Sequence, residues 1–350
     1  MTTIMTEHPG GFIVGIDTHA DTNMAVVIDD IGRERAIREF PTTAQGHREL
    51  YTWATSFGPL IASGIEGTGS WGAGITRFLQ SRTVRCVEVN RVNRQHRRRH
   101  GKSDPADALA AARSVLSGDA TAVPRDRTGT MESLRVTRLA CRSAVKARTQ
   151  AMNQIRAVIS TAPDELRCQV TGLTMTPMVP KMIGWRPNGF DDINTTKRVL
   201  RALARRGEAL NDEIAVHDEA QQHLVALVAP PELLASKGIG PNTATDLLLA
   251  FGSNPERVTS EAKFAALCGV SPIDCSSGRQ HRHRLNRGGD RQANNALWRI
   301  VLVRLSSDQT TRGYMNRQLA NGKTKPEAIR QLKRYTARRI WRILHQNPPT

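Results

Sequence analysis

The chain of 350 residues is poor in cysteine, and the five it has build no recognisable site. Cys86, Cys141, Cys168, Cys268 and Cys275 are scattered, odd in number and never spaced Cys-x-x-Cys. That argues against a disulfide framework and against a structural zinc site, and makes a reducing cytoplasm the expected compartment. Long apolar runs are missing too: no stretch reaches the roughly 18 residues that a membrane helix needs, so no membrane span is expected. The first residues, "MTTIMTEHPGG", lack the basic end and apolar core of a secretory signal. Acidic residues are in short supply, 32 Asp and Glu against 50 Lys and Arg, which leaves a formal net charge of +18. Such an excess predicts a polyanionic partner, nucleic acid before any other, without choosing DNA over RNA.

Because acids are scarce, their placement is informative. The run "GFIVGIDTHADTNMAVVIDD" delivers Asp17 at the end of an apolar stretch, and "LIASGIEGTGSWG" delivers Glu66 in the same way. Around them, residues 12–18, 23–29 and 33–40 read as three strands joined by short turns, hence antiparallel neighbours. A helix over 44–56, a strand over 59–66, a helix over 69–80 and a strand over 83–89 follow. Three antiparallel strands and then alternating helix and strand is the order of a ribonuclease-H-like α/β fold with a mixed sheet.

From Arg82 to Lys102 the chain carries eight Lys and Arg against the single acid Glu88. The end of that run, with Arg94, Arg97, Arg98, Arg99 and Lys102, reads as a basic loop suited to nucleic-acid phosphates. It leads directly onto "SDPADALAAARSVL", where Asp104 and Asp107 open a helix. Two readings compete there. Asp104 suits an N-cap, Pro105 the first helical position and Asp107 a capping-box partner. Alternatively Asp17, Glu66, Asp104 and Asp107 form one carboxylate cluster, which would repel itself without cations and whose hard oxygens select Mg²⁺ or Mn²⁺. Two such ions could activate a nucleophile and steady a phosphodiester leaving group. His19 is expected to be a hydrogen-bond partner rather than a ligand, and Asp29 and Asp30 to be hairpin-turn residues.

Residues 11–128 are therefore predicted to be one domain, ending in the Gly- and Pro-containing linker 117–129. Residues 129–228 hold two long helical stretches, 130–160 and 191–227, with a Pro- and Gly-broken tip between them, which predicts a helical or coiled-coil arm. Residues 229–345 form a mainly helical third region. Its "ELLASKGIGPNTATDLLLAFG" reads as a helix-hairpin-helix-like element, with Lys237, Gly238 and Gly240 placed to meet a backbone phosphate, or else as an ordinary packing unit. The polar loop "IDCSSGRQHRHRLNRGGD" carries Ser276, Ser277 and the arginines Arg279, Arg282, Arg284 and Arg287, which suit phosphate oxygens. By composition alone "SSG" is a turn.

The segments "GIDTHADTNMAVVID", "GIEGTGSWG", "GKSDPADALAAA", "KGIGPNTA", "FAALCGVSPIDCSSG" and "NRGGDRQANNAL" together resemble a bacterial insertion-sequence transposase family. That family joins a RuvC-like DEDD domain to a serine-bearing C-terminal transposase domain, and Piv-type DNA invertases are similar. The resemblance spans nearly the whole chain. It implies Mg²⁺ on Asp17, Glu66, Asp104 and Asp107, and a catalytic serine at Ser277, with Ser276 the alternative because the serine is doubled here. It further implies recombination of double-stranded DNA through a phosphoserine intermediate, a structured guide RNA encoded by the element, and dimers that assemble into a tetramer. The sequence departs from the family pattern at Gln292-Ala293-Asn294, where a basic-apolar pair is usual. Two further readings stand beside it: a RuvC-class metal-dependent endonuclease or junction resolvase that needs the acids but no serine, and a non-catalytic nucleic-acid-binding protein in which Asp104 and Asp107 only cap their helix.

Overall fold

The computed structural model describes residues 10–89, 103–125, 127–252, 258–278, 283–284 and 286–349, and divides the chain into two compact units between Arg127 and Thr128. In the first unit, β1 (Phe12–Thr18), β2 (Thr22–Ile28) and β3 (Glu34–Pro41) form an antiparallel meander. β4 (Leu60–Glu66) adds parallel to β1, and β5 (Arg85–Val89) parallel to β4, which gives the order β3-β2-β1-β4-β5. Helices α1 (Ala44–Thr55), α2 (Ala73–Ser81) and α3 (Asp104–Leu116) complete an α/β RuvC-like domain of the ribonuclease-H type. The expected strands and helices of this half are all present, with ends shifted by a few residues at most.

Alternation along the strands decides which helix meets which face. On β1, Val14 and Ile16 point to a core shared with Leu50 and Ala54 of α1 and Ile75 and Leu79 of α2. Ile13 points to the opposite core, with Ala62, Val87 and the α3 residues Ala108, Ala111, Ala112 and Val115. Edge strand β3 is mostly exposed and carries Glu34, Arg35, Arg38 and Glu39, charges that discourage pairing with another chain. Asp29 closes the β2–β3 turn as expected, accepting from Ile31 N–H and Arg33 N–H at 3.2 and 2.8 Å.

The α3 side depends on two glycines. Gly15 and Gly64 lie side by side in the parallel β1–β4 pair. A Cβ on Gly15 would stand 1.9 Å from the Ala108 carbonyl oxygen, and one on Gly64 2.6 Å from that of Ala111. The alanine-rich face of α3 therefore rests directly on sheet backbone. One pleat further along the same face, in the same two strands, come Asp17 and Glu66.

In the second unit, α4 (Gly129–Ser160) and α7 (Asp192–Val228) run antiparallel as a long hairpin: Arg148 bonds Asn211 and Cys141 bonds Asp218. The tip between them, expected to be irregular, contains two short helices, α5 (Asp164–Val170) and α6 (Met175–Gly184). They close over Ile155, Val170, Met178, Met182, Leu200 and Ala204. That core overrides the helix-breaking tendency of Pro180, which sits inside α6. Beyond the hairpin come α8 (Pro231–Leu234), α9 (Pro241–Phe251), α10 (Glu261–Leu267), the ribbon β6 (Ile273–Asp274) with β7 (His283–Arg284), then α11 (Arg291–Ser307), α12 (Gln309–Ala320) and α13 (Lys325–Gln346).

Gly15→Ala is expected to destabilise the chain by about 1–3 kcal/mol through overpacking against α3, read as a lower denaturant midpoint. Gly184→Ala, where an added Cβ meets nothing within 4 Å, is expected to be neutral or mildly stabilising. Equal stability of the two variants would show that α3 does not need its close seat on β1.

Candidate metal centre

The four predicted acids reach one end of the sheet by different routes. Asp17 is the sixth of the seven β1 residues and is buried. Glu66 is the last residue of β4; the register pairs Ile16 with Ile65, so Asp17 and Glu66 come next on neighbouring strands. Thr18 Oγ1 donates to the Glu66 carbonyl oxygen at 2.8 Å and locks the two strand ends together. Asp104 and Asp107 come from the first turn of α3.

The capping interpretation does not hold at that helix start. Ser103 is the N-cap residue, and its side chain makes no capping bond. Asp104 is thus already the first helical residue. Asp107 falls one position beyond the capping-box place and is buried. Both carboxylates still favour the positive end of the helix.

His19, just past β1, completes the group. Its Nε2 lies 3.9 Å from Asp17 Oδ2 and 3.8 Å from Asp104 Oδ1, and one ligand atom from each of the three residues falls within 4.8 Å of the other two. These separations are too long for the hydrogen bonds expected of His19. They suit three donors that share a cation. The backbone of His19 is fixed on both sides: its N–H donates to Thr22 O at 2.9 Å, and its carbonyl accepts from Thr42 Oγ1 at 3.1 Å.

Electrostatics agree with the geometry. The Asp17 carboxyl is pushed up to about 6, chiefly by burial, with Glu66, Asp104 and Asp107 adding repulsion and His19 partly offsetting it. The other three acids thus all raise Asp17, while ligand atoms within 4.8 Å of one another come only from Asp17, His19 and Asp104 among the described residues. Glu66 Oε2 is buried without a hydrogen-bond partner among the described residues, a costly state for a carboxylate oxygen unless a cation faces it. A clustered Asp/His triad backed by a partnerless buried carboxylate oxygen fits a divalent ion such as Mg²⁺; the imidazole makes Mn²⁺ an equally natural occupant.

Arg94, Arg97, Arg98, Arg99, Lys102, Arg279 and Arg282 fall outside the described residues. Lys237 Nζ donates to Ser307 O at 2.7 Å. Gly238 has φ +87°, and a Cβ there would meet Ile300 O at 3.1 Å, so its glycine is required by packing. The Gly240 N–H donates to Thr243 Oγ1 at 3.0 Å rather than standing open for a phosphate. Arg284 and Arg287 are exposed in the second unit.

The expected phosphoserine chemistry is corrected by these observations. Ser277 is exposed, and among the described residues no imidazole or carboxylate is hydrogen-bonded to its hydroxyl. The alternative, Ser276, bonds Asp274 within its own turn, where the backbone N–H also donates to Asp274 Oδ1 at 2.8 Å. A serine without a base is a poor nucleophile. The metal-capable cluster, by contrast, is assembled inside the RuvC-like domain and supports two-metal hydrolysis, which needs no serine.

Comparison with known proteins gives the family. The family model DEDD_Tnp_IS110, described as "Transposase", matches residues 14–162. A second, described as "Transposase IS116/IS110/IS902 family", matches residues 231–316. The insertion element IS110 uncharacterized 43.6 kDa protein of Streptomyces coelicolor is 34% identical over 128 residues, 34% of this chain and 31% of that protein. The insertion element IS900 uncharacterized 42 kDa protein of Mycobacterium paratuberculosis is 25% identical over 155 residues, 43% of this chain and 38% of that protein. The chain thus spans about a third of the length of the curated relatives it matches.

Asp17 gives a pH signature. Its carboxyl binds a proton more tightly folded than unfolded, since about 6 exceeds the ordinary 3.8. Its stability contribution is complete below about pH 4 and is lost as pH rises through 6. In EDTA, the melting temperature is therefore expected to fall by about 2–4 °C between pH 5 and pH 7.5, and Asp17→Asn to flatten that fall. Adding Mn²⁺ or Mg²⁺ should raise the melting temperature more at pH 7.5 than at pH 5, because metal and proton compete for the same oxygens. No metal-induced shift at either pH would remove the centre.

Proposed function

We propose that this chain, which belongs to the IS116/IS110/IS902 family of insertion-element transposases, cuts double-stranded DNA as a RuvC-class metal-dependent endonuclease. The observation that carries this reading is the meeting of Asp17, His19 and Asp104 at the end of β1, with the partnerless Oε2 of Glu66 beside them in sequence register. Divalent ions bound there supply positive charge to a phosphodiester and acidify a water. The chain's own part is placement and charge. Asp17 and Glu66 offer rigid oxygens from strand ends, while Asp104 offers one from the helix start. His19, whose side chain is 42% exposed, gives the cluster a face toward solvent.

The DNA substrate is supported by the family match and by the net charge of +18, which supplies the phosphate attraction on which nucleic-acid affinity rests. A structured RNA partner fits the same charge. Self-association is supported by apolar side chains left exposed on the hairpin: Val136 and Leu139 on α4, Val199, Val216 and Leu227 on α7.

In a nicking assay on supercoiled or branched DNA with Mg²⁺ or Mn²⁺, Asp17→Asn and Glu66→Gln are each expected to slow cleavage by about 10²-fold or more while leaving DNA binding intact. Ser277→Ala should cut at the wild-type rate, and denaturing gels should show both product strands free of protein. A covalent protein–DNA adduct, or loss of cleavage in Ser277→Ala, would overturn the hydrolytic reading.

A further inference from the structure

The second unit contains a cavity of about 860 Å³ that the metal centre does not use. One wall is the loop after α10, from Gly269 to Pro272, with Cys275 and Arg284 beyond it; the other is a single face of α13. Glu327, Arg330, Arg334 and Arg338 recur at three- to four-residue spacing and form one stripe, with Tyr335 on its flank. With Lys323 and Lys333, the cavity is lined by six cations against the one carboxylate of Glu327.

That carboxylate is already committed to its helix cap, accepting from Thr324 N–H at 2.8 Å and Thr324 Oγ1 at 2.7 Å. Glu261, outside the lining, pairs with Arg334 and with Arg338, the latter at 2.8 Å. Arg284 and Lys323 have no carboxylate within ion-pair distance among the described residues. Lys333 is buried, its Nζ donating to Asn294 Oδ1 at 2.6 Å. Asn294 in turn donates to the carbonyls of Cys268 and Gly269 at 2.9 and 3.1 Å, so the cation is held in place at the cavity. Even with Glu261 on Arg334 and Arg338 and Glu327 Oε1 4.0 Å from Arg330, the lining keeps an excess of positive charge that attracts an anion.

The aromatic in the wall narrows the choice. Tyr335 is 50% exposed, and its ring is braced edge-on by Tyr314 at 5.6 Å. Tyr314 is itself fixed by donating to Gln331 Oε1 at 2.8 Å. Arg338 also lies over the Tyr335 ring, its guanidinium carbon 5.9 Å from the centroid, so the half-exposed ring is held from two directions. A duplex hides its base faces and cannot stack on the exposed part of that ring; a strand with unstacked bases can. We propose that this cleft holds a single-stranded segment of nucleic acid, with its phosphates on Arg284, Lys323, Arg330 and Lys333 and one base stacked on Tyr335. The proposal rests on the nucleic-acid reading above but not on the metal centre.

The test uses the full chain in EDTA, so that nothing is cut, with labelled (dT)₁₂, (U)₁₂ and a 12-base-pair duplex measured by fluorescence anisotropy across a salt series. Arg284→Ala/Arg330→Ala should lower the slope of log K against log salt by about 1.4 for the single strands, about 0.7 for each lost phosphate contact. Tyr335→Ala should weaken single-strand binding about tenfold or more, Tyr335→Phe should restore it, and duplex binding should be unchanged by either. Tighter binding of (U)₁₂ would make the occupant RNA, and tighter binding of (dT)₁₂ would make it DNA; either supports the cleft. Unchanged affinity and slope in variants with wild-type melting temperatures would overturn it, as would equal losses on the duplex. Absence of Mg²⁺-dependent nicking by the unaltered chain, with its single-strand binding intact, would count against the metal centre alone.

Discussion

The close seat of α3 on the sheet is the constraint on which the candidate site depends. Gly15 and Gly64, adjacent in the parallel β1–β4 pair, leave no side chain between the strands and Ala108, Ala111 and Ala112. The approach is backbone to backbone, so the helix has little freedom to slide. Its first turn must then overhang the strand ends, where Asp17 and Glu66 continue the same face as the glycines. A larger residue at either glycine would lift α3 and draw Asp104 away from Asp17 and His19. Packing in the middle of the sheet thus fixes carboxylate spacing at its edge.

The same arrangement creates an electrostatic difficulty that only a cation resolves. The Asp17 carboxyl is pushed up to about 6 by burial and by the three other acids. Glu66 keeps an oxygen buried and partnerless. Neither state stabilises the fold. Each carboxylate would be better served by water or an arginine, yet among the described residues the only base within ion-pair distance of Asp17 or Asp104 is His19. Stability given up at one spot, with the oxygens turned toward each other, is the usual mark of a site built for a ligand.

Much of this was legible in the sequence because strands with a strict period carry their own register. "GFIVGID" and "LIASGIE" each end an apolar run in an acid, and short turns forced β1, β2 and β3 to be neighbours. What could not be read depended on tertiary contacts. The helix start moved one residue, to Ser103 as N-cap, which separated metal binding from capping at Asp104 and Asp107. His19 was undervalued because its role follows from two distances to residues far apart in sequence; the only local hint was its position two beyond Asp17. Helix α12 has a mainly polar surface and left no apolar stripe to find. The phosphoserine expectation came from resemblance alone, whereas the cluster that the fold does assemble is the metal-capable one in the RuvC-like domain.

The chain treats charge in two contrasting ways. At the root of the hairpin, buried Arg138 makes a bidentate pair with buried Asp246, its Nε and Nη2 each 2.8 Å from a carboxylate oxygen, and a further bond to Asn242. Asn242 also accepts from buried Gln221 at 2.6 Å and donates to Asp218 at 3.4 Å. This network joins α4, α7 and α9 with each charge matched. Such a pair fixes geometry more than it adds stability, and it survives burial because it is nearly fully satisfied. The acids at the β1 and β4 ends and the cations around the α13 cleft do the reverse: like charges are massed, and Glu261 and Glu327 offset only part of the positive charge at the cleft. A sequence able to satisfy Arg138 so completely could have paired those clusters as well. Leaving them unmatched makes sense only if each is neutralised by something that comes and goes, a divalent cation at one and a phosphate backbone at the other.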